Sequence, residues 1–231
     1  MFDCKIIAHR GIFDNEKIIE NTIESFEKAI SLNYPIELDV QLTKDDKLVV
    51  FHDETLTRLG NHEGFVQMMT YEELQKIPLL NTKSRIPLLK DVLKLNQDKV
   101  LIDIEVKYTN RIKETVACLL EELDGYHNFV VKSFDFRIIR EVKKRNPNIT
   151  TGLLINEEYD TFAKSCLHCS SLFLRYTKCD FVAISKKILK NSKRMKKYSK
   201  YPILVWTIKK KEEVDYSNSI TYICNNLPYK K

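Results

Sequence analysis

The sequence predicts an α/β protein: a (β/α)8 barrel of the TIM type with a small insertion after a β-hairpin at its second strand. Three observations carry this. Short apolar, often β-branched runs recur along the 231 residues, at 5–8, 36–40, 48–51, 100–106, 129–133, 150–155, 181–184, 203–208 and 220–224. Most intervals between them are long enough for a helix, and strand–helix alternation is the pattern of a parallel sheet. One interval is not: only Leu42 to Lys47 separates the second run from the third, too little for a parallel crossover, so the third run must fold back antiparallel. Setting that hairpin arm aside leaves eight strands, the number that closes a barrel. An open doubly wound sheet is the alternative, but it usually carries a Gly-rich phosphate loop after its first strand, and none is present.

The first run ends in Ala8-His9-Arg10-Gly11. The next segment, 22–31, places Ile23, Phe26 and Ile30 on one helical face, with Asn21 as the expected N-cap and Glu24 three residues later. In the second strand Glu37 and Asp39 are two apart, so both side chains project to the same side. Two carboxylates among Ile36, Leu38 and Val40 repel each other and are costly to bury unless a cation lies between them. A hairpin turn centred between Asp45 and Asp46 would set Asp39 opposite His52 on one face of the ladder. The run around 100–106 repeats the pattern, with Asp103, Glu105 and Lys107 alternating with apolar residues. Barrel strands are packed on both sides, and such barrels place their sites at the strands' C-terminal ends. Glu105 and Lys107 sit nearer that end, and Asp103 lies deeper, where a paired core carboxylate is expected. Further on, Ile138, Ile139 and Val142 make the apolar face of a helix that Pro147 stops. No repeat or Pro/Gly-rich linker divides the chain, so residues 1–231 read as one domain.

Hydrophobic residues make up 43% of the chain and charged residues 30%, which suits a folded domain with a sizeable core. No apolar run reaches the roughly 20 residues that span a bilayer, and no secretory pattern is seen, so a cytoplasmic location is expected. The net charge of +6 is concentrated where no acidic residue occurs between Asp180 and Glu212. There Lys186, Lys190, Lys193 and Lys197 recur at helical spacing. A solvated outer face is the favoured reading, and weak contact of residues 186–200 with an anionic membrane surface the alternative. No aromatic platform or groove motif accompanies the lysines, so nucleic acid is not an expected partner. Cys166 and Cys169 form the one tight cysteine pair, and a structural zinc site usually needs two such pairs. Ordinary thiols are expected.

The remaining charged residues share a logic. Hard oxygen ligands favour Mg²⁺ or Ca²⁺ over zinc. The planar fork of Arg10 matches a phosphate. Two histidines, His9 and His52, exchange protons near neutral pH. Together they point to phosphoryl chemistry.

At this point the sequence resembles the glycerophosphodiester phosphodiesterases along nearly its whole length. The resemblance runs through His9-Arg10-Gly11, Glu20-Asn21-Thr22, Glu37-Leu38-Asp39-Val40-Gln41-Leu42-Thr43-Lys44-Asp45, His52-Asp53 and Thr55-Leu56-Thr57-Arg58. It continues through Ile86-Pro87-Leu88-Leu89, Glu105-Val106-Lys107, Ser133-Phe134, Gly152-Leu153-Leu154 and Trp206-Thr207-Ile208. It implies a TIM-type barrel with a small insertion at about residues 54–95, one divalent cation held by Glu37, Asp39 and Glu105, and an acid–base pair of His9 and His52. It also implies Arg10 and Lys107 on the phosphate, Glu20 and Asn21 near the site (the helix cap being the other reading of Asn21), and Trp206 along the alcohol or glycerol side of the pocket. The implied reaction is metal-dependent hydrolysis of a glycerophosphodiester to glycerol 3-phosphate and an alcohol, by way of a cyclic glycerol phosphate. A lysophospholipid or a polymeric glycerophosphate is the alternative substrate, and a non-catalytic binder of anionic surfaces the rival of another class. The chain departs from the family pattern at Ile19, where proline is common, and after its last strand. There Cys224-Asn225-Asn226-Leu227-Pro228 stands in place of Thr-Asp-x-Pro.

Overall fold

Alternating inward and outward side chains organise the whole structure, a computed structural model that describes residues 2–156 and 171–228. Eight parallel strands close on themselves: β1 (Ile6–His9), β2 (Ile36–Leu42), β4 (Ile102–Val106), β5 (Phe129–Ser133), β6 (Thr151–Ile155), β7 (Phe181–Ser185), β8 (Ile203–Ile208) and β9 (Thr221–Cys224). The order runs β1-β9-β8-β7-β6-β5-β4-β2, and β2 pairs again with β1. The remaining strand, β3 (Leu48–Val50), lies antiparallel on β2. The (β/α)8 barrel with its hairpin excursion is therefore the fold, and each of the nine apolar runs holds one of its strands.

Helices α1 (Ile23–Ser31), α4 (Leu89–Asn96), α5 (Ile112–Glu122) and α6 (Phe136–Arg145) follow β1, β3, β4 and β5. Short helices α2 (Thr57–Gly60) and α3 (Tyr71–Gln75) lie between β3 and α4, and α7 (Ser171–Thr177) and α8 (Ser192–Tyr198) precede β7 and β8. Outward-facing Leu38, Val40, Ile104, Val131, Leu153, Val182 and Val205 form one core with Phe26, Val116 and Ile139 from the helices. Inward-facing Ile7, Val130, Leu154, Phe181, Ala183, Leu204 and Ile223 form a separate cluster. Gly152 makes room for it, since a Cβ there would lie 2.1 Å from the Phe181 ring. A third cluster joins Leu56, Leu59, Val66, Leu74 and Ile86 to Val49 and Phe51, fastening the segment between β3 and α4 to the hairpin.

Three local expectations are corrected. The N-cap of α1 is Thr22, which shares a capping box with Ser25. Asn21 instead adopts a left-handed backbone, φ 56°, and turns its side chain elsewhere. The hairpin register is shifted by one, with Leu42 opposite Leu48 and Val40 opposite Val50, so Asp39 meets Phe51 and not His52. The cause is a three-residue loop, Lys44-Asp45-Asp46, with Asp46 left-handed at φ 62°; three-residue hairpin loops commonly end this way. Finally, the lysines at 186–197 do not line one helix. A 3-10 turn at Lys186–Lys190 ends at Asn191, whose side chain caps the separate helix α8, and Lys186 pairs with Glu213 at 2.6 Å. Cys166 and Cys169 lie outside the described residues.

Candidate active site

The C-terminal ends of β1, β2 and β4 bring the predicted acids and bases into one cavity. Pairing sets His9 beside Glu37, and Glu37 and Asp39 beside Asp103 and Glu105. Since residues two apart share a face of a strand, Glu37, Asp39, Asp103 and Glu105 all project into the barrel. Oxygens of Glu37, Asp39 and Glu105 lie within 4.8 Å of one another, and all three residues are buried. A cavity of about 100 Å³ opens onto them and is also lined by His9, Arg10, His52, Lys107 and Trp206. A wider groove of about 460 Å³ runs along α6 and α7, lined chiefly by Arg137, Arg140, Lys144 and Tyr176, and among the described residues it holds no acid cluster or histidine.

Cations balance the acids. The Lys107 ammonium donates to Asp39 Oδ1 at 3.2 Å and to Glu105 Oε1 at 2.7 Å. Burial acts against its charge, but Glu105 and Asp39 outweigh it and hold the amine above its ordinary range. Burial likewise pushes the Asp39 carboxyl up, and Lys107, Arg10 and His52 overcome it and hold Asp39 well below the carboxylate range. Arg10, left-handed at φ 58°, donates from Nη1 to Glu20 Oε1 at 2.6 Å and brings Nε to 3.4 Å from Asp39. Its backbone N–H donates to Glu37 Oε2 at 3.2 Å. The tight turn needs Gly11, also left-handed, where a Cβ would come within 2.7 Å of the Ser25 backbone.

The two histidines are held by different partners. His52 Nδ1 lies 2.6 Å from Asp53 Oδ1, and Arg58 from α2 donates to Asp53 and also to both oxygens of Glu20. His9 Nδ1 lies 2.5 Å from Asn225 Oδ1, and its Nε2 is 3.9 Å from Glu37 Oε2. Burial, reinforced by the neighbouring Arg10 charge, lowers the His9 pKa to about 3.

Three residues at the site carry no role in the sequence, and a fourth, Asn21, is expected both as a helix cap and, within the Glu20-Asn21-Thr22 motif, near the site. Lys132, at 1% exposure, donates to Glu37 Oε1 at 3.0 Å and to Asp103 Oδ2 at 2.6 Å. Asp103 is thus the paired core carboxylate expected. Gln41 donates to the carbonyls of Phe51 and Asp53 at 2.9 and 2.8 Å, gripping the backbone on both sides of His52. That grip, with the chain bending away after β3, is how His52 reaches the cavity despite the shifted register. Asn21 donates to Asp39 Oδ2 at 2.9 Å. Asn225 closes the set. Lys132 gives a signal as a single cation inside an apolar run, and Asn21 gives one through the Glu20-Asn21-Thr22 motif. Trp206 forms the opposite wall: its indole N–H donates to the Ala183 carbonyl at 3.1 Å, and its ring meets Phe134 edge-on at 5.6 Å.

Comparison with known proteins places this geometry. A glycerophosphodiester phosphodiesterase from Caldanaerobacter subterraneus subsp. tengcongensis is 41% identical over 162 residues, which cover 64% of this chain and 65% of that protein. The aligned part is thus just under two thirds of that relative's length. The crystal structure of a glycerophosphodiester phosphodiesterase from Thermotoga maritima superposes with a TM-score of 0.78 at 27% identity, covering 97% of this chain and 95% of that one. An Oleispira antarctica phosphodiesterase, solved in complex with its product sn-glycerol-3-phosphate, shares the fold with a TM-score of 0.80 at 20% identity, covering 97% and 94% of the two chains. The family model of the glycerophosphoryl diester phosphodiesterases matches residues 9–224, from the first histidine of the cavity to the end of the last strand, and the chain belongs to that family.

Proposed function

We propose that this protein hydrolyses glycerophosphodiesters to glycerol 3-phosphate and an alcohol with the help of one divalent cation, Mg²⁺ or Ca²⁺. The observation that carries the proposal is the meeting of three buried carboxylates within 4.8 Å with two histidines, an arginine and a lysine in one cavity. The donor set suits a hard cation: it is all oxygen and comes from rigid strands. Beside it, Asn21 Oδ1 is buried without a hydrogen-bond partner, a spare oxygen acceptor next to the acids. Glu37, Asp39 and Glu105 would hold the cation, which when bound supplies positive charge to the phosphate oxygens.

The chain's own groups divide the remaining work. Arg10, pinned by Glu20 and Asp39 before any substrate arrives, meets the phosphodiester with little reorganisation. Lys107, just past the end of β4, adds a second positive charge beside Asp39 and Glu105. His9 and His52 are the acid–base pair: one takes the proton from the attacking hydroxyl or water, and the other protonates the departing alkoxide. Trp206 and Phe134 offer an apolar wall to the alcohol side and limit water there. The names of the relatives support the same reaction.

The test is incubation with glycerophosphocholine and Mg²⁺ or Ca²⁺, with glycerol 3-phosphate measured enzymatically. Release of glycerol 3-phosphate that stops with EDTA is expected. Phosphocholine as the product would overturn the substrate reading, and full turnover in EDTA would overturn the metal reading.

A further inference from the structure

Two imidazoles in one cavity are each held at Nδ1, one by a carboxylate and the other by an amide. The amide belongs to Asn225, in the segment that departs from the family pattern. Parallel pairing of β1 with β9 sets Ala8 beside Cys224, so the next residues outward, His9 and Asn225, are neighbours across the barrel rim. Asn225 is fixed by its own backbone, whose N–H donates to the Ile208 carbonyl at 2.8 Å. The following residue, Asn226, turns left-handed at φ 59° and ties back to the Lys209 carbonyl through its side chain at 3.2 Å. The amide oxygen therefore approaches His9 Nδ1 from a braced position.

We propose that Asn225 is a positioning residue that accepts the Nδ1–H of His9, fixing the tautomer whose Nε2 carries its lone pair towards the acid cluster. An imidazole free in water favours the proton on Nε2, so the opposite tautomer needs an acceptor at Nδ1. A carboxamide oxygen supplies one and cannot itself take the proton. It does so without adding a negative charge beside Glu37, whose Oε2 is already 3.9 Å from His9 Nε2.

The role of this contact in turnover rests on the reading of His9 as an acid–base residue, but the tautomer is measured without turnover. Long-range proton–nitrogen NMR of histidine-labelled, metal-free protein at about pH 8, with His9 assigned through His9→Gln, reads it directly. We expect a protonated, pyrrole-type Nδ1 and a pyridine-type Nε2. In Asn225→Ala the His9 signals move towards the Nε2–H form, and kcat falls about tenfold or more with KM within about twofold. Asn225→Asp restores the acceptor, the tautomer and most of kcat. A wild-type His9 protonated on Nε2 would overturn the proposal, as would an Asn225→Ala protein with unchanged His9 signals. Full activity in His9→Gln is a separate failure, of the acid–base reading, and leaves the tautomer result standing.

Discussion

Beyond inward-facing Ile7 and Val130, strands β1, β2, β4 and β5 face the barrel axis with His9, Glu37, Asp39, Asp103, Glu105 and Lys132, whereas β6 to β9 face it with Leu154, Phe181, Ala183, Leu204 and Ile223. The two halves solve the same packing problem differently. The apolar half needs only shape, and Gly152 against the Phe181 ring is shape matching in its plainest form. The charged half must satisfy each group electrostatically, because an unpaired charge in the interior is strongly unfavourable. Its acids therefore come with Lys132 from beneath and with Lys107 and Arg10 from the rim. Chemistry that handles a charged phosphate on one side and an alcohol on the other fits a wall divided in this way.

The comparison is broken most sharply at the charged rim. Replacing His52 with Gln should lower kcat by roughly 100- to 10,000-fold, the usual contribution of a general acid or base, with thermal stability nearly unchanged because the side chain is at the cavity mouth. Less than a tenfold loss in both His52→Gln and His9→Gln would mean that the acid–base pair lies elsewhere.

Deeper in the same half, Lys132→Met tests whether the acids depend on their buried cation. The substitution keeps most of the side chain's volume and removes the charge shared by Glu37 and Asp103. Breaking a buried pair in this way should cost about 3–5 kcal/mol in urea unfolding. The double substitution Lys132→Met with Asp103→Leu should recover much of that loss, since it removes the stranded charge too. A single variant as stable as the native protein would show that Lys132 is not needed to balance the acids.

How much of this division is legible in the sequence depends on the kind of signal each residue gives. The strands stand out because β-branched apolar runs leave a local mark, and eight of them with helical spacers and no Gly-rich loop after the first point to a barrel rather than an open sheet. Glu37, Asp39 and Glu105 stand out because a charge at every second position of an apolar strand contradicts its surroundings. Lys132 is harder to see: its two partners come from β2 and β4, and the acidic residue near it in sequence, Asp135, caps a helix instead. Gln41 and Asn225 are harder still. They are neutral amides acting on a backbone and a ring that only the fold brings near. The hairpin register fails for a different reason. Loop length changes which residues pair by one position, and a left-handed Asp46 is not readable from Asp45-Asp46 alone. Asn21 and Thr22 are both good caps, and the structure gives the cap to Thr22 because Ser25 completes the box.

Arg58 links the two histidine neighbourhoods, and its removal is a milder break. It ties Asp53, which holds His52, to Glu20, which holds Arg10. Burial pushes the Glu20 carboxyl up, and Arg58, Arg10 and Asn15 together bring it from 4.5 down to about 2. A carboxyl lowered on folding stabilises the protein above its unfolded pKa, and that contribution is lost as pH falls from 4.5 towards 2. Arg58→Ala should therefore destabilise the protein by about 1 kcal/mol near neutral pH, a partly exposed cation giving no more. The difference from the native protein should narrow below about pH 4.5, as Glu20 takes up its proton. A constant difference from pH 7 to pH 3 would mean that Arg58 acts through packing alone.

The smallest effect belongs to the apolar wall, and it differs in kind. Trp206 stands edge-on to Phe134 and hydrogen-bonds to the Ala183 carbonyl, away from the acids and their cations. Leucine there keeps an apolar surface but loses the ring contact, worth about 0.5–1.5 kcal/mol or roughly 2- to 12-fold. If the wall meets the alcohol in the ground state and transition state alike, the loss appears as a higher KM at unchanged kcat. It should also depend on the leaving alcohol, larger for glycerophosphocholine than for a glycerophosphodiester of a small alcohol such as ethanol. A fall in kcat of the size expected for His52→Gln, with KM unchanged, would place Trp206 among the groups that act on the reacting phosphate, and the two halves of the barrel could no longer be assigned to the two sides of the substrate.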